Sequence, residues 1–561
     1  MDNKKIIISV KDLVVNFKVR SSILTSIRNI NLDIYEGETL ALVGESGSGK
    51  SVFTKTFTNM IESNGWIEKG SIIYNPPAGG QESKIKMTTD LVDFHNNMLD
   101  SNMRSWIIRK SKLEIKKLAI RIVNLKKIKS KELTDKIYKL KQVIKIIEER
   151  QTFDSSNRDV MKLKELRTEL KMHEFWYRVS TDNDFKQKHI VLAEDKILKL
   201  KNQLVRFGYI SYSDKKVIAK FIKLVKEQYK NKKAFSEIEI QEFKQYFLRV
   251  DLKPIEVKLK KIFEDSVINS NPIDEELYKT VVYNWKFMKH SSFRRKMTTK
   301  KAITNLRGAT IATIFQDPMT SLNPLLTVGY QISEVLIKHR GMNRSEAKKE
   351  AIELLTKVGI KEAEKRYNDV PGKYSGGMRQ RVVIAIALAC RPNILLCDEP
   401  TTALDVTIQA QILKLIKDLQ KEYKFTIIFI THDLGVVANI ADRVAVMYSG
   451  QIVEYGTLDE VYMSPQHPYT WALLSSLPQL GEKGEDLYSI SGTPPSLFKK
   501  IKGDPFAPRN PYALLIDYKQ EPPMFKVTET HYAKTWLLDP RAPKVDKPKQ
   551  IADLKKSFTK D

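Results

Sequence analysis

The chain has 561 residues, with 95 Lys and Arg against 67 Asp and Glu, a net charge of +28, and two cysteines. That length allows two to four domains with sizeable cores. Cys390 and Cys397 show no C-x-x-C spacing and no histidine pair nearby, which argues against a disulfide framework or a zinc site and fits a reducing compartment. The longest apolar run, VVIAIALAC at 382–390, is half of the ~18 residues that suggest a membrane span, so none is expected.

In chain order, MDNKKIIISV reads as the approach to a first strand, not a signal peptide. IIISVKDLVVNF (6–17) and LALV (40–43) read as strands, rich in β-branched and apolar residues. GESGSGKS (44–51) follows, and VFTKTFTNMI continues it as a helix. GSIIY (70–74) is another strand, closed by the Pro/Gly loop NPPAGGQES. From 101 to 300 the chain changes character. These residues hold 49 basic and 26 acidic side chains, +23 of the net charge, leaving +5 for the other 361. They contain one glycine, Gly208, and two prolines, Pro254 and Pro272. Leu133, Ile137, Leu140, Ile144 and Ile147, and again Ile190, Ile197, Leu200, Leu204 and Phe207, recur at helical spacing, with lysines on the other faces. SEIE at 236–239 reads as a capping box. A hairpin or small coiled-coil bundle is expected, its helices of about 40 residues projecting on the order of 60 Å. After 306 strands return: ATIATIF, NILLCDEP, FTIIFITHD and RVAVMYSGQIVEYG, with an amphipathic helix over 345–358 and a buried one in QRVVIAIALA. The tail from about 476 is proline-rich and reads as a smaller appended unit.

GESGSGKS fits G-x-x-x-x-G-K-[ST] between a strand and a helix. Gly44, Gly47 and Gly49, with Glu45, Ser46 and Ser48 between them, let backbone N–H groups close on phosphates at a helix N-terminus. Lys50 neutralises the β and γ phosphates of ATP, and Ser51 offers a hydroxyl to Mg²⁺. ILLCDEP (394–400) is an apolar strand ending in two carboxylates, a costly pairing for a strand end without a job. Asp398 would hold Mg²⁺ through water, and Glu399 would be the base orienting the attacking water, a role worth roughly 10²–10⁴ in rate. Gln316, after ATIATIF, could ligate Mg²⁺ or sense the γ-phosphate. His432 ends a strand, where a γ-phosphate contact competes with an ordinary satisfied histidine. Phe17 is the candidate for stacking on adenine, against the commoner core role of a strand-ending Phe. YSGGMRQR (374–381) adds a second glycine motif. One phosphate loop supplies one set of contacts, so Ser375, Gly376 and Gly377 are best explained as facing a nucleotide on another subunit, in a head-to-tail pair that needs ATP to form.

The ordered set GESGSGKS, IFQDPMTSLNP, YSGGMRQR, ILLCDEPTTALD and ITHD resembles an ABC ATPase: Walker A, Q-loop, signature, Walker B with D-loop, and H-switch. The resemblance covers roughly 1–75 and 306–475. FQDPMTSLNP, SGGMRQRV, DEPTTALDVTIQAQIL, HPYTWALLSSLP and GTPPSL are similar to the oligopeptide/dipeptide importer ATPases, the OppD-type subunit in particular. It implies an α/β fold: a P-loop NTPase of the ABC ATPase type with an antiparallel β subdomain, a helical signature subdomain and a small C-terminal extension, into which the helical, coiled-coil-like domain read above is inserted. The corresponding divisions are 1–100, 101–300, 301–475 and 476–561. It also implies Asp405 as the D-loop residue reaching across the dimer, and permease coupling helices docking around Gln316. The implied partners are a second ATPase of the OppF type, two integral membrane permease subunits and, indirectly, an extracellular peptide-binding protein, at the cytoplasmic face of the cell membrane. Two departures stand out. Asp504, Asn510, Asp517 and Thr535 occupy the positions of cysteines that bind an iron–sulfur cluster in such extensions, so no cluster is expected. The 101–300 insertion is far longer than the family's few dozen residues.

The competing reading is an ABC ATPase of the chromosome or repair class using a basic helical arm on DNA. There the coiled coil lies between Q-loop and signature, whereas here it precedes the Q-loop. For the insertion itself, lysine-rich helix faces read first as solvation, and binding of anionic lipid or nucleic acid is the minority reading.

Overall fold

The computed structural model describes residues 5–77, 85, 88–128, 131–151, 157–207, 212–231, 235–248, 254–269, 272–289, 292–402, 404–476, 490–498, 501–548 and 551. Most of the Pro/Gly loop after Tyr74, and Gly208, lie outside them. The chain divides into two compact units, Met1–Leu99 with Ser292–Asp561, and Asp100–Ser291.

The first unit opens with β1 (Ile6–Val19), β2 (Ser22–Tyr35), β3 (Thr39–Val43), α1 (Lys50–Phe57), β4 (Gly65–Tyr74), β5 (Thr89–Asp90) and α2 (Leu91–Met98). β2, β1, β4 and β5 form an antiparallel sheet in that order. β2 was not among the expected strands, although Ile30, Leu32 and Ile34 alternate inward along it; Asn29, at φ 55°, interrupts the period before them. The inner face of this sheet shares a core with Phe53 and Phe57 of α1, Leu91 and Val92 of α2, and Leu40 and Leu42 of β3.

Among its described residues the second unit is built of helices: α3 (Ser101–Lys127), α4 (Lys131–Gln151), α5 (Asn157–Thr181), α6 (Asn183–Arg206), α7 (Tyr212–Asn231), α8 (Glu237–Phe247), α9 (Pro254–Phe263) and α10 (Glu275–Lys289). α3 packs on α6 and α4 on α5, so the four make a hairpin of two broken legs rather than single 40-residue helices. The break in the returning leg is at Asp182, whose carboxylate accepts the Phe185 N–H and starts α6. The outgoing leg ends α3 at Ile128, in extended conformation. Leu125, Ile128, Val179, Phe185 and Ile190 cluster around both breaks. α7–α10 bury a separate aromatic core in which Phe243 stacks between Phe221 and Phe263, with ring centroids 3.8 and 4.7 Å away. Ser236 and Glu239 form the capping box of α8.

The chain returns to the first unit through α11 (Ser292–Leu306), followed by β6 (Ile311–Ile314), α12 (Pro318–Ser321), α13 (Val328–Val335), α14 (Arg344–Lys357), α15 (Ala363–Arg366) and α16 (Gly376–Leu388). Then come β7 (Ile394–Asp398), α17 (Val406–Tyr423), β8 (Thr426–Ile430), α18 (Leu434–Ile440), β9 (Arg443–Tyr448), β10 (Gln451–Thr457), α19 (Leu458–Met463) and α20 (Pro468–Ser475). β11 (Phe525–Lys526) and β12 (Tyr532–Ala533) belong to the extension. The second sheet runs β11-β12-β10-β9-β3-β8-β7-β6, parallel from β9 to β6. β3 and β8 are wholly buried, as central parallel strands covered on both faces must be. The helical subdomain α13–α16 packs around Val328, Ile332, Leu355 and Ile384.

α11 is where the structure redraws the expected boundary at 300. It packs against α2, and Leu306 at its end joins the first sheet's core. Both helices reach the end of α1. His95 of α2 donates from Nε2 to the Thr56 carbonyl (2.6 Å), and Arg307 donates to the carbonyls of Thr58 (2.8 Å) and Asn59 (2.7 Å). The last carbonyls of the helix that follows the glycine loop are thereby satisfied by groups flanking the insertion.

Candidate active site

The loop Gly44–Gly49 leaves the end of β3, and α1 begins at Lys50, as the motif requires. Gly44 has φ 146°, and a Cβ there would lie 2.2 Å from the Met447 carbonyl, so the loop can lie on β9 only with glycine at this point. Ser46 and Gly47 face solvent. Lys50 is buried, and its Nζ donates to the carbonyls of Gly44 (2.7 Å) and Glu45 (3.0 Å). Burial lowers its pKa, opposed by the carboxylates of Glu399, Asp398 and Glu45.

β7 brings the paired acids alongside. Ser51 Oγ donates to Asp398 Oδ1 (3.0 Å). Burial, aided by repulsion from Glu399, raises the Asp398 pKa against the Ser51 hydrogen bond and the charges of Lys55 and Lys50. Glu399 follows at φ 48°, a left-handed conformation that costs a non-glycine residue on the order of 1 kcal/mol or more. Its N–H is fixed by the Ile430 carbonyl (3.0 Å). Three groups converge on its carboxylate: Gln316 Nε2 (3.2 Å) and Thr402 Oγ1 (3.1 Å) on Oε2, and His432 Nδ1 (3.3 Å) on Oε1. Gln316 follows β6 and His432 follows β8, the strands flanking β7, so sheet order alone gathers them.

The structure therefore joins Lys50, Ser51, Asp398, Glu399, Gln316 and His432 in one constellation. Thr402 was not singled out in the sequence, although it lies in the quoted DEPTTALD. Ser375 N-caps α16 by accepting the Met378 N–H, and Asp405 N-caps α17 by accepting that of Ile408. A Cβ on Gly377 would lie 2.7 Å from Ile408 Cγ2, so the approach of α16 to α17 calls for glycine within a single chain. Gly376 is exposed. Phe17 is 7% exposed in the first sheet's core, opposite Leu24 and Gly65, which gives it a packing role. Glu45 has in-chain partners of its own: its N–H donates to Tyr469 Oη (2.8 Å) and its carboxylate pairs with Arg509. Both cysteines are free and buried.

A comparison with protein families matches residues 27–206 and 289–402, more than half of the chain, to the family described as ABC transporter. The chain belongs to the ABC transporter family. A second match assigns residues 453–515 of this ABC protein to the oligopeptide/dipeptide transporter C-terminal region. It is 65% identical over 258 residues to the oligopeptide transport ATP-binding protein AmiE of Streptococcus pneumoniae, covering 46% of this chain and 73% of that one. It is 63% identical over 254 residues to the OppD protein of Bacillus subtilis, covering 45% and 71%. The OppD protein of Mycoplasma genitalium is 43% identical over 285 residues, covering 44% and 71%. As an ABC ATPase the chain binds and hydrolyses ATP. Among its described residues no helix is long and apolar enough to cross a membrane.

In the extension the four residues at the expected cysteine positions are buried. Each accepts a nearby backbone N–H: Asp504 from Phe506 (3.0 Å), Asn510 from Tyr512 (3.0 Å), Asp517 from Leu514 (2.6 Å) and Thr535 from Leu537 (3.3 Å). Oxygen acceptors hold these turns. Burial pushes the Asp504 carboxyl up to about 7.

Proposed function

We propose that the chain is the ATP-hydrolysing subunit that powers import of oligopeptides across the cytoplasmic membrane. The observation that carries this is the peptide-transporter C-terminal match on the same chain as the ABC match. It pairs head-to-tail with a second ATPase of the OppF type, sits on two integral permease subunits at the cytoplasmic face, and is served by an extracellular peptide-binding protein. Ser375, Gly376, Gly377 and Asp405 complete the partner's site. The DNA-binding alternative has no support in the relatives.

Glu399 is the base. Its backbone is pinned to β8 and its Oε2 is occupied by Gln316 and Thr402, which leaves Oε1 to take a proton from water once His432 turns to the γ-phosphate. Lys50 exchanges the loop carbonyls for phosphate oxygens. Ser51, Asp398 and Gln316 form a hard oxygen set that suits Mg²⁺, which neutralises phosphate charge when bound. The extension offers no thiolate for an iron–sulfur cluster.

Glu399→Gln keeps the shape and loses the charge. It is expected to bind ATP within about threefold of wild type and to lower hydrolysis about 100-fold or more. In cells lacking the gene, wild type should restore uptake of labelled oligopeptides and Glu399→Gln should not. Uptake indifferent to the gene's removal would sink the transport reading, and normal hydrolysis by the variant would remove Glu399 from its role.

A further inference from the structure

Arg509 of the extension reaches the phosphate loop across 464 residues of sequence. Its guanidinium forms a bidentate pair with Glu45, Nη1 to Oε2 at 2.8 Å and Nη2 to Oε1 at 3.0 Å. The Arg509 side chain is 5% exposed and that of Glu45 26%. Its further donors go to the carbonyls of Ser491 (3.0 Å) and Ile490 (3.3 Å) and to Tyr448 Oη (3.2 Å). Tyr469 takes the Glu45 N–H from another side, and the Glu45 carbonyl accepts from Lys50 Nζ. The first variable residue of the loop is thus fixed at its N–H and its side chain, and it helps to set where Lys50 rests.

We propose that Arg509 is a positioning residue for ATP binding, through which the C-terminal extension holds the phosphate loop and keeps Lys50 available for phosphate. Glu45 and Lys50 attract one another through space. Without the guanidinium, a half-buried Glu45 carboxylate is left to act on Lys50, and it competes with the incoming phosphates for that charge while also repelling them. An ion pair that served stability alone would leave nucleotide affinity unmoved.

The test is the Kd for MgATP of the full chain, by calorimetry, beside its melting temperature. Arg509→Ala is expected to weaken binding about tenfold. Adding Glu45→Gln to Arg509→Ala removes the stranded charge and should recover most of that loss. Arg509→Lys keeps the charge without the fork and should fall between. Lys526→Ala, which breaks the exposed Lys526–Glu529 pair of the same extension, should bind ATP as wild type does. A lower melting temperature with Kd within twofold of wild type overturns the proposal, as does a double variant no tighter than Arg509→Ala. If Arg509→Ala does not fold, an Arg509→Lys chain that binds ATP like wild type overturns it equally. The inference rests on ATP being the loop's ligand: a wild-type chain that binds none fails that reading, whereas equal binding by wild type and Arg509→Ala fails this one.

Discussion

Gly377 separates two explanations of the signature motif at the level of a single atom. The missing Cβ would sit 2.7 Å from Ile408 Cγ2, in a contact between α16 and α17 that exists without any partner subunit. Gly377→Ala is therefore expected to destabilise the isolated chain by about 1–3 kcal/mol in denaturant unfolding. Combining it with Ile408→Ala should cost less than the sum of the two single changes, because the clash disappears. Strict additivity would mean that the helices already have room. Residues marked by a local motif were legible: the spacing that places Lys50 and Ser51 after a strand, and the acids at the end of ILLCDEP, record their own chemistry. The sequence placed Gln316, Glu399 and His432 each at the end of a strand; that β6, β7 and β8 lie side by side, which gathers them, came from the fold. Tyr469 and Arg509 were not legible as partners of Glu45. They lie 424 and 464 residues away, and nothing in their local pattern marks a long-range hydrogen bond.

Among the elements, α2 and α11 matter most. Helical stripes such as Leu133 to Ile147 foretold which faces pack, but not where a helix belongs. α11 is basic like the insertion, yet it packs on α2, and its end joins the ATPase core. A charge profile cannot separate the two, since lysines solvate a helix face wherever its other face is buried. Because α2 and α11 touch, the chain ends left by removing residues 100–291 are carried on neighbouring helices, and closing them costs little. Replacement of 100–291 by a short linker is expected to leave a folded chain with unchanged ATP affinity, whereas a cut extended to 300 should unfold or weaken it. Equal damage from both would place the boundary elsewhere. The same helices introduce a pH dependence. Thr56 O can only accept, so His95 Nε2 carries a proton; burial, reinforced by Arg307, lowers its pKa to about 4 and keeps the ring neutral near pH 7. Burial lowers His467 to about 3. In the unfolded chain both take up protons below about pH 6.5. Their contribution to stability is full above that pH and is lost as pH falls towards 4, by about 1.4 kcal/mol per unit for each histidine, while the raised carboxyl of Asp504 contributes with the opposite sign, so that the slope due to His95 is the difference between wild type and a His95 variant. Urea unfolding between pH 7 and 5 should show this slope, shallower in His95→Gln; an unchanged slope in the variant would mean that His95 is charged in the fold.

At the scale of the molecule, the two units have separate cores and opposite sensitivities. The unit formed by Met1–Leu99 and Ser292–Asp561 holds every residue assigned to ATP, whereas Asp100–Ser291 buries its own aromatic cluster around Phe243 and its own leg contacts around Leu125 and Ile190. Neither cluster draws on the β-sheets, so the two are expected to melt as two transitions rather than one. A ligand stabilises only the unit that binds it. MgATP at 100 times its Kd adds about 2.7 kcal/mol to that unit, which should raise one transition by a few degrees and leave the other in place. Salt should act on the other. Residues 100–291 hold 45 basic and 27 acidic side chains, +18 of the +28 net charge, and like charges crowded on paired helices repel at low ionic strength. Raising salt from about 0.01 M to about 0.5 M shortens the screening length well below helix spacing and should stabilise the helical unit more than the ATPase. Scanning calorimetry of the full chain, with and without MgATP and at both salt concentrations, reads all of this at once. A single transition moved by both MgATP and salt would mean that the insertion and the ATPase fold as one body.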